Sequence, residues 1–204
     1  MLLLISMTIV ALDFEYIAND AQMGDIPGAR PDVQNVYCEI MQIGACKLDS
    51  EGKEIGLLNL TVRAHIIEII PPWLVKMTGM TAEKRSSGFD FGDALQQLVE
   101  FVGKDVVPYI FNGDYWVLES NIKAHRMKMP FEKQFIRVKP LLSSWGVTLD
   151  DYKSQGFEEV NSGNMATVLG LSLPHIEGVG AHDAAHDARS LAYSVHHCLQ
   201  KSVH

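Results

Sequence analysis

The chain has 204 residues, 47% apolar and 21% charged, a composition that supports a sizeable core and excludes a disordered chain. Seventeen lysines and arginines against 25 acids give a net charge of −8, the wrong sign for gripping nucleic acid through a broad basic surface. A local acidic site remains open to such a chain, because bound divalent cations can invert the field there.

The N-terminal "MLLLISMTIVAL" is apolar but shorter than the ~20 residues of a membrane span. It has no basic leading region and no small-residue cleavage site, so neither a membrane anchor nor a signal peptide is expected, and Met7 is an alternative start. "TIVALDFEYI" (8–17) predicts a buried strand ending in acids. A Gly-, Pro-, Asn- and Asp-rich loop follows over 18–38. "EIMQIGACKLD" (39–49) and "IGLLNLTVRA" (55–64), joined by the turn "DSEG", complete a predicted antiparallel meander of three strands.

"IPPWLVKMTG" predicts a short helix, with prolines at its start and Gly79 at its C-cap. In "FGDALQQLVEFVG", Phe91, Ala94, Leu95, Leu98, Val99 and Val102 recur at helical spacing. "VVPYIF" (106–111) predicts a strand, "YWVLESNIKAH" a helix, and "FIRVKPLL" (135–142) a strand running into a helix. The final helix is "AAHDARSLAYSVHHCLQ", where Ala184, Ala188, Leu191, Ala192, Val195 and Leu199 form the apolar stripe. The expected architecture is one α/β domain over 1–204, a mixed sheet with helices on its faces. The odd set Cys38, Cys46 and Cys198, without CxxC spacing, points to a reducing, cytoplasmic setting.

Asp13 and Glu15 are two apart on a strand, so both carboxylates share a face. Side by side in an apolar strand they are costly unless a cation neutralises them, and a hard divalent cation suits carboxylate oxygens; the plainer alternative is two solvated acids at a strand end. Asp114 opens the helix after "VVPYIF", a position that serves equally as a helix-start acid or as a ligand at the carboxyl end of a strand. "GVGAHDAAHDARSLA" (178–192) holds two His-Asp pairs. Within one helix His182 and Asp187 would project ~140° apart, so they converge only if His182 sits on the loop before it, which Gly178 and Gly180 favour. His186 lies inside the helix, and Asp183 is placed to favour the helix dipole.

Taken together these residues resemble the DEDDh 3′–5′ exonucleases, the group of ribonuclease T, the epsilon subunit of DNA polymerase III and the Eri-type exoribonucleases. The first motif, Asp-x-Glu, is matched by Asp13 and Glu15; "EIMQIGA" and "PPWLVKMTGMT" resemble the next two segments. The last motif, His-x-Ala-x-x-Asp-Ala-Arg, is matched by His182, Ala184, Asp187, Ala188 and Arg189, so the likeness spans nearly the whole chain. The second acidic motif departs: "FNGD" is two residues short, with Phe111 in place of the usual histidine. Val117 and Leu118 keep the apolar positions after Asp114, while an alternative register would put Trp116 in its place. Arg137 stands where relatives often carry aspartate.

The resemblance implies a ribonuclease H-like fold and hydrolysis of single-stranded RNA or DNA from a free 3′ end into 5′-mononucleotides. It implies two Mg²⁺ or Mn²⁺ ions held by Asp13, Glu15, Asp114 and Asp187, with His182 as general base and Asp183 and His186 as bystanders. Phe14, Tyr16, Thr78, Gly79 and Met80 would contact the terminal nucleotide, with core packing the alternative for Met80. Lys123, Arg126 and Lys128 could follow the phosphates, or be no more than a solvated helix end. No membrane partner is implied, and the sequence permits a homodimer. Two rival readings are an HD-type phosphohydrolase, which the strand-rich N-terminal half disfavours, and a catalytically inactive relative that only binds nucleic acid or protein.

Overall fold

A computed structural model describes residues 8–18, 38–131, 135–174 and 182–201. The interior of the predicted 18–38 loop, Met7, Gly178 and Gly180 lie outside the described residues. The chain folds as a five-stranded mixed sheet of order β3-β2-β1-β4-β5. β1 (Ile9–Ala18), β2 (Cys38–Leu48) and β3 (Glu54–Thr61) form the antiparallel meander. β4 (Tyr109–Ile110) and β5 (Ile136–Arg137) add in parallel beside β1. The helices are α1 (Pro72–Thr78), α2 (Ala82–Ser86), α3 (Phe91–Val102), α4 (Asp114–Ala124), α5 (Leu149–Ser154), α6 (Ser162–Val168) and α7 (Ala184–Lys201). This is the expected ribonuclease H-like sheet, with the parallel strands shorter than the sequence suggests and "VKPLL" turning at once into a 3₁₀ helix, Lys139–Leu141.

The alternation of β1 sorts its residues between two layers. Val10, Leu12 and Phe14 pack with Ile43, Ala45 and the apolar stripes of α3 and α4 (Ala94, Leu95, Leu98, Val117, Leu118). Ile9 and Ala11, one register step over, face the opposite layer, where Ala188, Leu191, Ala192 and Val195 of α7 meet Tyr152 of α5 and Met165 of α6. Beyond the β1–β2 bulge a third cluster joins Ile17, Met41, Ile66, Ile67, Leu74 and Met80.

That third cluster is fastened by a buried ion pair. Glu39, at the start of β2, accepts the backbone N–H groups of His65 (2.8 Å), Ile66 (2.9 Å) and Ile67 (2.7 Å) and the Arg85 guanidinium. Arg85 also donates to the Ile67 carbonyl. One carboxylate therefore ties the β3–α1 connection and α2 to the sheet. Breaking a buried pair by removing one partner strands the other charge, so Glu39→Ala should cost about 3–5 kcal/mol. Urea unfolding followed by circular dichroism tests this; a loss under about 1 kcal/mol would show the pair to be dispensable.

Candidate active site

The carboxyl end of β1 carries Asp13 and Glu15 on the face covered by α7. Asp13 pairs across the sheet with Gly44 of β2. A Cβ at Gly44 would fall 1.9 Å from the Ala184 carbonyl oxygen, so only glycine lets the first turn of α7 rest on the strand. Asp187, in that turn, is thereby held near the first two acids. Asp114 arrives from the other side: β4 runs parallel to β1, with Leu12 beside Ile110, and the chain then passes through Phe111, Asn112 and Gly113 into α4. Asp114 is the first residue of that helix and only 9% exposed, whereas Trp116 is 55% exposed and lines a separate groove with Arg137. The position beside the other acids belongs to Asp114, not Trp116.

His182 lies on a turn just before α7 with φ 64°, a left-handed conformation that takes its side chain off the helical phase. A ring nitrogen of His182 and carboxylate oxygens of Glu15 and Asp187 all lie within 4.8 Å of one another. His186 is half-buried and lines, with His182 and Asp187, an open pocket of about 240 Å³ whose other walls include Phe157, Asn161 and Asn164. Asp183 has a structural task. Its carboxylate caps α7, accepting from the N–H groups of Ala185 (3.0 Å) and His186 (3.3 Å), and it is bound by Gln42 (2.8 Å) of β2 and Asn59 (3.2 Å) of β3.

Two neighbours escaped the sequence reading. The Ser162 hydroxyl donates to Asp13 at 2.7 Å, and a Cβ on Gly163 would fall 2.4 Å from an Asp187 oxygen. Both open α6, whose cap is reciprocal: the Asn161 side chain accepts the Asn164 N–H, and the Asn164 side chain accepts the Asn161 N–H. The N-S-G-N spacing was the available signal, although neither member is the usual Ser/Thr or Glu/Gln of that motif.

The residues expected around the terminal nucleotide divide. Tyr16 is 39% exposed, with its hydroxyl titration raised by burial and by Asp114. Thr78 is half-buried, its hydroxyl donating to the Leu74 carbonyl (2.8 Å) and accepting the Met80 N–H (3.1 Å); Gly79 takes the left-handed C-cap at φ 66°. Phe14 and Met80 are core side chains, 3% and 4% exposed. Phe14 alternates away from Asp13, and Met80 fills the third cluster, so in both cases a side-chain contact to a ligand is replaced by packing. Lys123, Arg126 and Lys128 are exposed, and Lys123 pairs with Glu119 at 3.2 Å.

Burial moves all four carboxyls upward, and repulsion from neighbouring acids adds to it at Asp13, Glu15 and Asp187. Asp13 is raised well above its ordinary value by burial, then by Asp114, Asp187 and Glu15, with the Ser162 hydroxyl pulling the other way. Burial and then Asp183 and Asp114 take Glu15 to about 7. Burial raises Asp114 to about 6 against the backbone N–H groups that hold it, and takes Asp187, with Glu15 and Asp183, to about 8. One Asp187 oxygen is buried without a hydrogen-bond partner among the described residues. Hard oxygen donors with one imidazole, strained by their own charge and with an orphaned oxygen, fit a divalent cation.

The sequence profile of the RNase_T family, described as Exonuclease, matches residues 10–195. No curated protein matches. Among solved structures, the nuclease domain of 3'hExo, a DEDDh family member bound to rAMP, superposes with a TM-score of 0.72 at 17% identity, covering 97% of this chain and 94% of that one. Cell-death related nuclease 4 (CRN-4) gives 0.66 at 18% identity, covering 95% and 64%. E. coli Exonuclease I in complex with a dT13 oligonucleotide gives 0.56 at 16%, covering 96% and 41%. At these identities the likeness concerns the fold.

Because these carboxyl groups titrate higher in the folded chain than the usual ~4 of an unfolded one, the native state binds more protons between about pH 4 and pH 8. The sign follows: in EDTA, stability is greatest at the acid end of that window and falls as pH rises through it. Asp187→Asn should flatten the fall and raise the melting temperature at pH 8 by several degrees, since about 1 kcal/mol moves it by about 2–4 °C at this size. Thermal melts from pH 5 to 8 in EDTA read both effects; a lower Tm for Asp187→Asn at pH 8 would contradict the strain.

Proposed function

The chain belongs to the RNase_T exonuclease family, and from that premise we propose that it is a DEDDh-type nuclease that removes 5′-mononucleotides one at a time from the 3′ end of single-stranded RNA or DNA. The observation that carries this reading is the meeting of Asp13, Glu15, Asp114 and Asp187 beside His182, three of the acids nearly buried and all of them raised. Acids in that state gain from a ligand that replaces protons with positive charge.

The four carboxylates would hold two divalent cations, Mg²⁺ or Mn²⁺. Bound there, the cations would supply charge neutralisation at the phosphate and activation of water. The protein's own groups do the rest. His182 accepts the proton of the attacking water at a ring nitrogen, the water oxygen bonds to phosphorus, and the bond to the 3′ oxygen breaks, that oxygen taking its proton from solvent. The left-handed turn at His182 keeps the imidazole at the rim, beside Glu15 and Asp187, where it is 4.8 Å or less from either. Ser162 holds Asp13 in one orientation through its 2.7 Å hydrogen bond. Tyr16 and the Thr78–Gly79 turn receive the terminal nucleotide, and Phe14 and Met80 support them from within the core. The family match from 10 to 195 supports treating the chain as one exonuclease domain, and three buried cysteines fit a reducing compartment such as the cytoplasm. Among the described residues no helix is long and apolar enough to cross a membrane.

The test is degradation of 5′-labelled single strands of RNA and DNA with Mg²⁺, Mn²⁺ or EDTA. A ladder shortening from the 3′ end, present with metal and absent in EDTA, is expected. Asp187→Ala and Asp114→Ala should lose it, and His182→Ala should fall by about 10²–10⁴-fold, the usual worth of a general base. Degradation from the 5′ end, internal cuts, or full activity in EDTA would overturn the reading.

A further inference from the structure

Beside the acidic site, where α4 begins, lies a groove of about 400 Å³ lined by Tyr115, Trp116, Glu119, Phe135 and Arg137. Its floor is rigid. Tyr115 and Phe135 pack on the core cluster and meet edge-to-face, with ring centroids 5.9 Å apart. Trp116 stands edge-on to Tyr115 at 5.1 Å and leaves 55% of its surface in water. The Arg137 guanidinium lies 5.7 Å from the centroids of both the Tyr115 and Trp116 rings.

A tryptophan serving only the core would be covered, and a surface arginine in a chain of net charge −8 has many acids to choose from. Here the acid of the groove, Glu119, pairs with Lys123 instead, and Arg137 rests on aromatic rings. A guanidinium set over aromatic rings, and in no ion pair among the described residues, keeps its N–H fork for an anion, and phosphate matches that fork. An exposed indole with a cation at its side offers the two contacts that each nucleotide of a single strand can use: a stacked base and a paired phosphate. The placement agrees. Trp116 is two residues beyond Asp114, and Arg137 ends β5, the strand next to β4, so the groove opens at the same end of the parallel strands as the acids.

We propose that Tyr115, Trp116 and Arg137 form a subsite for a nucleotide lying 5′ to the one being removed, its base stacked on Trp116 and its phosphate paired with Arg137. The inference rests on the exonuclease reading and deepens it, because the subsite would grip the strand rather than the bond being cut.

Binding of a short 5′-fluorescein-labelled single strand with phosphorothioate linkages, followed by anisotropy with Mg²⁺ present, tests it. Trp116→Ala should raise Kd by about 5- to 100-fold, the range that base–aromatic stacking spans, and Trp116→Phe should keep most of the affinity. Arg137→Gln should lower the slope of log K against log salt by about 0.7, the share of one phosphate on a single strand, while Arg137→Lys should restore it. Both positions are exposed, and unchanged thermal melts would confirm folded variants. Wild-type affinity and salt slope in both Trp116→Ala and Arg137→Gln would overturn the subsite, even if the wild-type chain shortens unprotected strands from the 3′ end. The converse result, Trp116-dependent binding by a chain that cuts nothing, would support the subsite and sink the catalytic reading. A wild-type chain that binds no strand would overturn the subsite as well.

Discussion

Repulsion among carboxylates shut away from water is the constraint that the rest of this fold accommodates. Two unit charges about 4 Å apart at an effective dielectric of about 20 repel by roughly 4 kcal/mol, a large share of the 5–15 kcal/mol by which a whole domain is stable. Asp13, Asp114 and Asp187 are each under 10% exposed, and around Asp13 and Asp187 small residues admit the helices that cover them. Gly44 lets α7 touch β2, and Gly163 lets α6 close on Asp187. Without cations the cluster settles by holding protons, with Asp187 at about 8 and Glu15 at about 7. A ligand that binds the folded form and not the unfolded one recovers that cost as stability, so a cation held by these acids would stabilise the fold.

Two other acids, buried Glu39 and half-buried Asp183, show what a structural carboxylate looks like. Glu39 accepts three backbone N–H groups and a guanidinium, and Asp183 accepts two helix-end N–H groups and two side-chain amides. Their acceptor capacity is used by the protein itself. Asp187 differs in kind, since one of its buried oxygens has no donor among the described residues. The structural acids also serve the strained ones. Asp183 pins the first turn of α7 to β2 and β3, which fixes both Asp187 and the turn bearing His182, while adding its own charge to the load on Glu15.

How much of this could be read from the residues depended on the length of each element. β1, β2, β3, α3 and α7 are long enough for their periodicity to speak, and their boundaries fell within a few residues of the structure. β4 and β5 are two residues each, too short for any pattern, and were found through the apolar runs around them. α5 and α6 were not read as helices, because six or seven residues make under two turns and only their capping pairs, Thr148 with Asp151 and Asn161 with Asn164, mark them. With α6 went Ser162 and Gly163, and so one wall of the site. Period-2 alternation put Asp13 and Glu15 on one face correctly; the same rule turns Phe14 into the core, which motif matching alone overlooked. Asp183 is legible as the acid at the start of α7, where it accepts two helix-end N–H groups, while its partners Gln42 and Asn59 lie more than 120 residues away, beyond the reach of local pattern.

The remaining tension is that an acidic chain must receive a polyanion. At physiological salt the Debye length is about 8 Å, so most of the net charge of −8 is screened from any given phosphate and only the nearest groups count. Close to the site those groups are mixed: Lys123 is already paired with Glu119, whereas Arg137 is held by rings that leave its charge unspent. A strand held by stacking on Trp116, one arginine and cations at the acids needs few phosphate contacts. Affinity built that way rests on base surface more than on counterion release, and it should survive salt that would strip a strand from a broad basic surface. An acidic composition is therefore compatible with a nuclease whose grip is concentrated in one aromatic groove beside its acids.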